Sequence, residues 1–111
     1  MKVMIIGSRG IRDFDLTPYV PKETEVIISG GARGMDTVAE QYADQHGIQK
    51  QIFLPEYEKY GRSAPLRRND EMVARADLVI AVWDGVSRGT KYTIDRAKEK
   101  NIPVILIRSD E

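Results

Sequence analysis

The chain has no cysteine, so neither a disulfide framework nor thiolate chemistry is open to it. Its single histidine, His46, argues against a histidine-based zinc site. Charge of either sign is not in excess. Seventeen Lys and Arg balance seventeen Asp and Glu, giving a net charge of zero and no global pull toward nucleic acid or membrane. A local basic patch stays open. No apolar run approaches the length that crosses a bilayer, and no charged-then-apolar leader precedes Lys2-Val3-Met4-Ile5-Ile6. The expectation is a cytoplasmic protein with no membrane partner. No metal-ligand cluster stands out and the six-residue Gly-x-Gly-x-x-Gly spacing is missing, so neither a metal nor a cofactor is expected. What remains is an ordinary globular balance, 41% hydrophobic and 31% charged over 111 residues. That suits a single domain, 1–111, burying roughly two-thirds of its unfolded surface.

The most informative stretch is Ile27-Ile28-Ser29-Gly30-Gly31-Ala32-Arg33-Gly34-Met35-Asp36. It reads as a buried strand, a glycine turn and a helix start, with Met35, Val38, Ala39, Tyr42 and Ala43 at helical spacing. Glycines at 30, 31 and 34 allow positive φ and close backbone approach. A strand that hands over to a helix in this way leaves N–H groups pointing at one spot, which attracts anions and phosphate above all. Arg33 adds a charged fork. A tight turn without a ligand would have the same local sequence.

Taken in order, Val3–Ile6 is a continuous apolar run, as in a strand buried on both faces. Gly7-Ser8-Arg9-Gly10 ends it, with Ser8 and Arg9 suited to a phosphate. Residues 11–24 read as a short helical or irregular connection, with Asp15 capping a turn that Pro21 ends. The second strand spans Glu25–Ser29, and its helix runs from about Gly34 to His46 with Gly47 beyond it. Gln51–Leu54 reads as a third strand, closed by Pro55. Glu56–Pro65 is the longest irregular stretch, where Tyr57 and Tyr60 either stack on a ring or pack the loop down.

Pro65 opens the next helix, in which Met72, Val73 and Ala76 form an inward stripe. Arg68 shares that face near the helix start, so it needs an anionic partner: a bound phosphate, or a carboxylate such as Asp70 or Asp84. Asp77–Trp83 is the strongest buried strand. It ends in the loop Asp84-Gly85-Val86-Ser87-Arg88-Gly89-Thr90, where Ser87 or Thr90 caps a helix that reaches about Lys100. Ile102–Ile107 is the last strand, with Pro103 suited to an edge, and the tail from Arg108 reads as loose.

Apolar strands alternating with helices predict an α/β protein: a Rossmann-like three-layer α/β/α sandwich on a parallel five-stranded sheet of order 3-2-1-4-5. In that order the strand from Lys2 is central and three glycine loops meet at the C-terminal edge, where open α/β sheets bind ligands.

With these residues in view, the chain resembles the YspA-type branch of the SLOG superfamily. That group joins the Rossmann-like core of the DNA-processing protein Smf/DprA to the Lonely-guy phosphoribohydrolases. Four pieces carry the resemblance: Gly7-Ser8-Arg9; Ser29 to Asp36; Ala64-Pro65-Leu66-Arg67-Arg68-Asn69 with Met72; and Trp83-Asp84-Gly85 with Ser87-Arg88-Gly89-Thr90. It covers nearly the whole chain and implies nucleotide-type ligands bound across these loops. Lonely-guy enzymes carry Pro-Gly-Gly-x-Gly-Thr-x-x-Glu. Gly89-Thr90 matches its Gly-Thr, but Thr93 stands where the Glu would be. Arg68 matches their helix arginine, while Asn69 replaces its basic neighbour. Ser29 to Asp36 is similar to the Ser-Gly-x-Ala-x-Gly-Ile-Asp turn of the DNA-processing proteins. Molybdenum-cofactor carriers are a more distant likeness.

The residues expected to bind the ligand are therefore Gly7, Ser8, Arg9, Ser29, Gly30, Gly31, Arg33, Gly34, Asp36, Arg68, Asn69, Trp83, Asp84, Gly85, Ser87, Arg88, Gly89 and Thr90. Asp36 either caps its helix or holds a ribose hydroxyl, and Trp83 is either core or a stacking platform. The leading expectation is a domain that senses or processes a nucleotide or nucleotide-derived phosphorylated ligand. An alternative is a phosphoribohydrolase-like enzyme cleaving an N-glycosidic bond, for which Asp84 is the best acid; Asp36 or Asp95 could substitute. A further alternative is association with single-stranded DNA, which the zero net charge disfavours. The resemblance also implies a possible homodimer through exposed helices.

Overall fold

The computed structural model of the chain describes residues 1–109. Five strands form one sheet: β1 (Lys2–Gly7), β2 (Val26–Ser29), β3 (Gln49–Ile52), β4 (Leu78–Trp83) and β5 (Val104–Arg108). All pair in parallel, in the order β3-β2-β1-β4-β5. This is the Rossmann-like arrangement expected from the alternating pattern. The central strand β1 matches Val3 to Leu78 on one side and to Ile27 on the other.

Strand side chains alternate between faces, so each apolar run feeds two cores. Val3, Ile5, Ile27, Ile80 and Val82 pack against α1 (Met35–Gln45) through Met35, Val38, Ala39 and Ala43. Met4, Ile6, Ile28, Val79 and Ala81 face the other way. They meet Met72, Val73 and Ala76 from α3 (Ala64–Arg75) and its end, and Ile94 and Ala97 from α4 (Arg88–Glu99). The result is three layers. The Cα radius of gyration, 12.8 Å, matches the value near 13 Å expected of one folded unit of this length. No helix among the described residues is long and apolar enough to cross a membrane.

The connection 11–24 contains no helix, yet it covers part of the α1 layer. Leu16 is 1% exposed, and Phe14, Tyr19 and Val20 pack beside it. Asp15 Oδ1 accepts the Thr17 amide at 3.0 Å, forming the expected local turn.

Four boundaries differ from the sequence reading. The third strand is Gln49–Ile52 rather than 51–54. Its register is set by four-residue pairing with β2, which runs out where Ser29 faces Ile52; Leu54 lies beyond it and is exposed. An edge strand needs no alternating apolar face, so polar Gln49-Lys50-Gln51 can fill it. The stretch 56–63 is not irregular. It forms the short helix α2 (Tyr57–Tyr60) and a 3-10 turn at Gly61–Ser63, separated by a positive φ of 57° at Gly61. Neither turn buries a residue, so neither has an apolar period to reveal it. The third difference is at Arg108. It is not in a loose tail but closes β5, with its guanidinium 5.3 Å from the Trp83 ring centre. The last two residues of the expected tail, 110–111, lie outside the described residues. The last strand itself starts at Val104, after Pro103, whose carbonyl accepts the Val79 amide.

Candidate functional site

The C-terminal ends of β1 and β4 open into a cavity of about 310 Å³, lined by residues from every neighbouring connection. Ile6, Gly7, Ser8 and Arg9 come from the end of β1 and its loop. Ala32 and Asp36 come from the β2 loop and α1, and Pro65, Leu66, Arg68, Asn69 and Met72 from α3. Ser87, Arg88, Gly89 and Thr90 come from the start of α4.

Gly7 makes this convergence possible. A Cβ there would lie 2.5 Å from the Val82 carbonyl oxygen and 2.6 Å from Met35 Cγ, so only glycine lets β1, β4 and α1 close together. Beyond it, Ser8 ties the loops. Its amide donates to Val82 O, its carbonyl accepts the Met35 amide, and its hydroxyl accepts the Asp84 amide, each at 3.2 Å. Gly34, at φ 78°, lies against the Arg9 backbone and takes the N-cap position of α1.

Arg68 is only partly exposed, and its partners are not the carboxylates considered from sequence. Its Nη1 donates to the Gly30 carbonyl and, at 3.3 Å, to that of Phe53. Its Nε reaches Asn69 Oδ1 at 2.8 Å. One guanidinium thus fastens the loops after β2 and β3 to α3. Burial pulls its pKa below the ordinary arginine value, and the nearby Asp36 opposes that. Neither Asp70 nor Asp84 is its partner. Asp70 instead accepts from Tyr92 and from Arg96.

Asp36 is 7% exposed and sits one residue inside α1, so it does not occupy the N-cap. Its Oδ2 accepts the Ala32 amide at 3.1 Å, pinning the glycine loop back onto the helix. Burial raises its pKa above 3.8, against the lowering effects of that hydrogen bond and of Arg68.

Asp84 behaves in the opposite way. Its Oδ1 accepts the amides of Val86 at 2.9 Å and Ser87 at 2.8 Å, and Ser87 Oγ lies 3.0 Å from Oδ2. The two backbone donors lower its pKa to about 2. A carboxyl so placed is ionised at neutral pH and holds no proton to donate. It shapes the β4–α4 loop and does not line the cavity.

Other residues expected at the ligand are also engaged elsewhere. The Ser29 hydroxyl is buried and donates to Glu40 Oε2 at 2.8 Å. The Gly31 amide reaches back to Ser29 Oγ at 3.3 Å. Gly30, Gly85 and Trp83 do not line the cavity, and Trp83 Nε1 donates to the Ser87 carbonyl at 3.0 Å. Arg33 and Gly34 line a separate groove. Ser87 holds the N-cap position of α4, but its side chain makes no capping bond; its hydroxyl faces Asp84 and Ser8 instead. Thr90 lies within the helix. Tyr60 is held against Arg67, whose guanidinium is 4.6 Å from its ring centre, whereas Tyr57 stays exposed.

The donors left over decide what the cavity suits. The amides of Arg88, Gly89 and Thr90, in the first turn of α4, have no acceptor among the described residues. Neither do the Thr90 hydroxyl or the guanidinium groups of Arg9 and Arg88, and no ion pair includes either arginine. Positive charge and free donors therefore meet at a helix N-terminus, the arrangement that stabilises an anion. The apolar side of the cavity, formed by Ile6, Pro65, Leu66 and Met72, was not expected as part of the site. Its signal was present, since Pro65 and Leu66 open the helix that carries Arg68. Among the described residues no group of three or more His, Cys, Asp or Glu could hold a metal ion.

No family model and no solved structure matches the chain. The chain is 35% identical to the Gene 61 protein of Mycobacterium phage D29 over 121 aligned positions, which cover 94% of each of the two chains. At that identity and coverage, the chain belongs to the family of this phage protein.

Proposed function

We propose that the protein binds a nucleotide or nucleotide-derived phosphorylated ligand at the C-terminal edge of its sheet, in the manner of the SLOG proteins that its loops resemble. One observation carries this reading. The first-turn amides of α4 at Arg88, Gly89 and Thr90 have no acceptor among the described residues, and these three residues line a cavity together with Arg9. A phosphate there accepts from the amides and the Thr90 hydroxyl, and pairs with the two arginines. The apolar wall of Ile6, Leu66 and Met72 suits the flat face of a base or sugar. Arg68 acts mainly by holding the cavity's walls together, so its truncation tests the fold as much as the ligand.

Calorimetric titration with adenosine monophosphate and related mononucleotides checks this. Wild type binds at least one of them, and Arg88→Ala and Thr90→Val each weaken binding about ten-fold with unchanged thermal stability, since a hydrogen bond to a charged group contributes about 1.5–3 kcal/mol. Binding that is indifferent to both substitutions would place the ligand elsewhere.

A hydrolytic reading draws on Asp36, the carboxyl that lines the cavity and whose pKa burial raises. Asp95 is exposed and paired with Lys91, and Asp84 is locked in its loop. Chromatography of the same mixtures separates the readings: free base released by wild type but not by Asp36→Asn marks an enzyme, and intact nucleotide marks a binding module.

A further inference from the structure

Beside the main cavity lies a second depression of about 310 Å³, lined by Arg9, Ile11, Arg12, Arg33, Gly34 and Thr37. Arg9 lines both. We propose that this groove is a second anion subsite, so that the natural ligand carries two phosphate groups on one nucleotide-sized frame, bridged at Arg9. The inference rests on the reading of the main cavity as a phosphate site.

Three observations support it. First, three arginines line the groove and no carboxylate does; Asp36 acts electrostatically on Arg9 from the main cavity, and no ion pair among the described residues includes any of the three. Like charges brought together repel unless an anion lies between them. Second, the grouping is built by the fold. Ser8 O accepts the amides of both Ile11 and Met35, and Gly34 lies on the Arg9 backbone, so the loops bearing Arg9, Arg12 and Arg33 are fixed against one another. Third, the shared wall at Arg9 makes the two depressions neighbours rather than independent patches. Arginine forks suit phosphate in two-point contact, which gives the groove a chemical preference as well as a charge.

The test titrates three probes against the intact chain: adenosine 5′-monophosphate, adenosine 3′,5′-bisphosphate and a 5′-phosphorylated dinucleotide. Arg12→Ala/Arg33→Ala is compared with wild type and with Lys98→Ala/Lys100→Ala, which removes the same charge from the exposed end of α4 and beyond. The expected result is that wild type binds one two-phosphate probe at least ten-fold more tightly than the monophosphate. The arginine variant loses that advantage, keeps its monophosphate affinity within about two-fold, and the lysine variant behaves as wild type. Which of the two-phosphate probes shows the advantage tells a single nucleoside frame from a linked pair. Equal binding of mono- and two-phosphate probes by wild type, or equal losses in both double variants, overturns the second subsite alone. No binding of any probe by wild type overturns the main phosphate site as well.

Discussion

At the residue scale, two aspartates, Asp36 and Asp84, do opposite things with their charge. Asp84 is held well below its ordinary value by two backbone donors, and Asp36 is pushed above it by burial. The folded state binds a proton less readily than the unfolded chain at Asp84. Its stabilising effect is therefore present above 3.8 and is lost as pH falls toward about 2. At Asp36 the sign reverses. The ionised carboxylate costs stability at neutral pH, and the cost disappears as pH falls through its raised value. Unfolding followed as a function of pH checks both. Asp84→Asn lowers the melting temperature at pH 7, and its deficit shrinks on acidification to about pH 2. Asp36→Asn, whose amide oxygen can still accept from Ala32, melts no lower than wild type at pH 7, and any gain shrinks as the pH falls. A substantial fall in the Asp36→Asn melting temperature at neutral pH would contradict the desolvation argument.

At the scale of elements, the segment 11–24 does the work of a layer without forming a helix. Leu16 is its anchor in the core beside α1. Leu16→Ala should cost about 2–4 kcal/mol and lower the melting temperature by roughly ten degrees, read by calorimetry. A loss of a few tenths of a kcal/mol would mean that the segment is only draped over the sheet. The elements that the sequence made legible are those with a strong periodic signal. β1 and β4 are unbroken apolar runs, and α1 and α3 show apolar stripes at helical spacing. β3 was misplaced by two residues because its register comes from β2 and not from its own pattern. α2 left no trace because it buries nothing. Within the site, the glycine loops and Arg68 could be found from sequence. The use made of each could not, because Arg68 spends its donors on the Gly30 and Phe53 carbonyls and Asp84 spends its acceptors on its own loop. Such partners are set by tertiary contact across up to 38 residues of sequence.

For the whole molecule, zero net charge hides an uneven distribution. The connections leaving the C-terminal ends of the strands carry Arg9, Arg12, Arg33 and Arg88, none in an ion pair among the described residues. The ion pairs lie elsewhere, such as Arg96 with Asp70 and Glu99, and Lys50 with Asp44. These arginines stand beside Asp36 and Asp84 at one end of the sheet, which supports the proposed small anionic ligand over tight, salt-dependent binding along a nucleic-acid backbone. The most direct measurement is an amide chemical-shift titration of the labelled protein with adenosine monophosphate. Binding at the C-terminal edge predicts the largest shifts at Arg9, Arg88, Gly89 and Thr90, with the far ends of the strands unmoved. Saturable shifts centred away from the start of α4, or no shifts at all, would contradict binding at that edge.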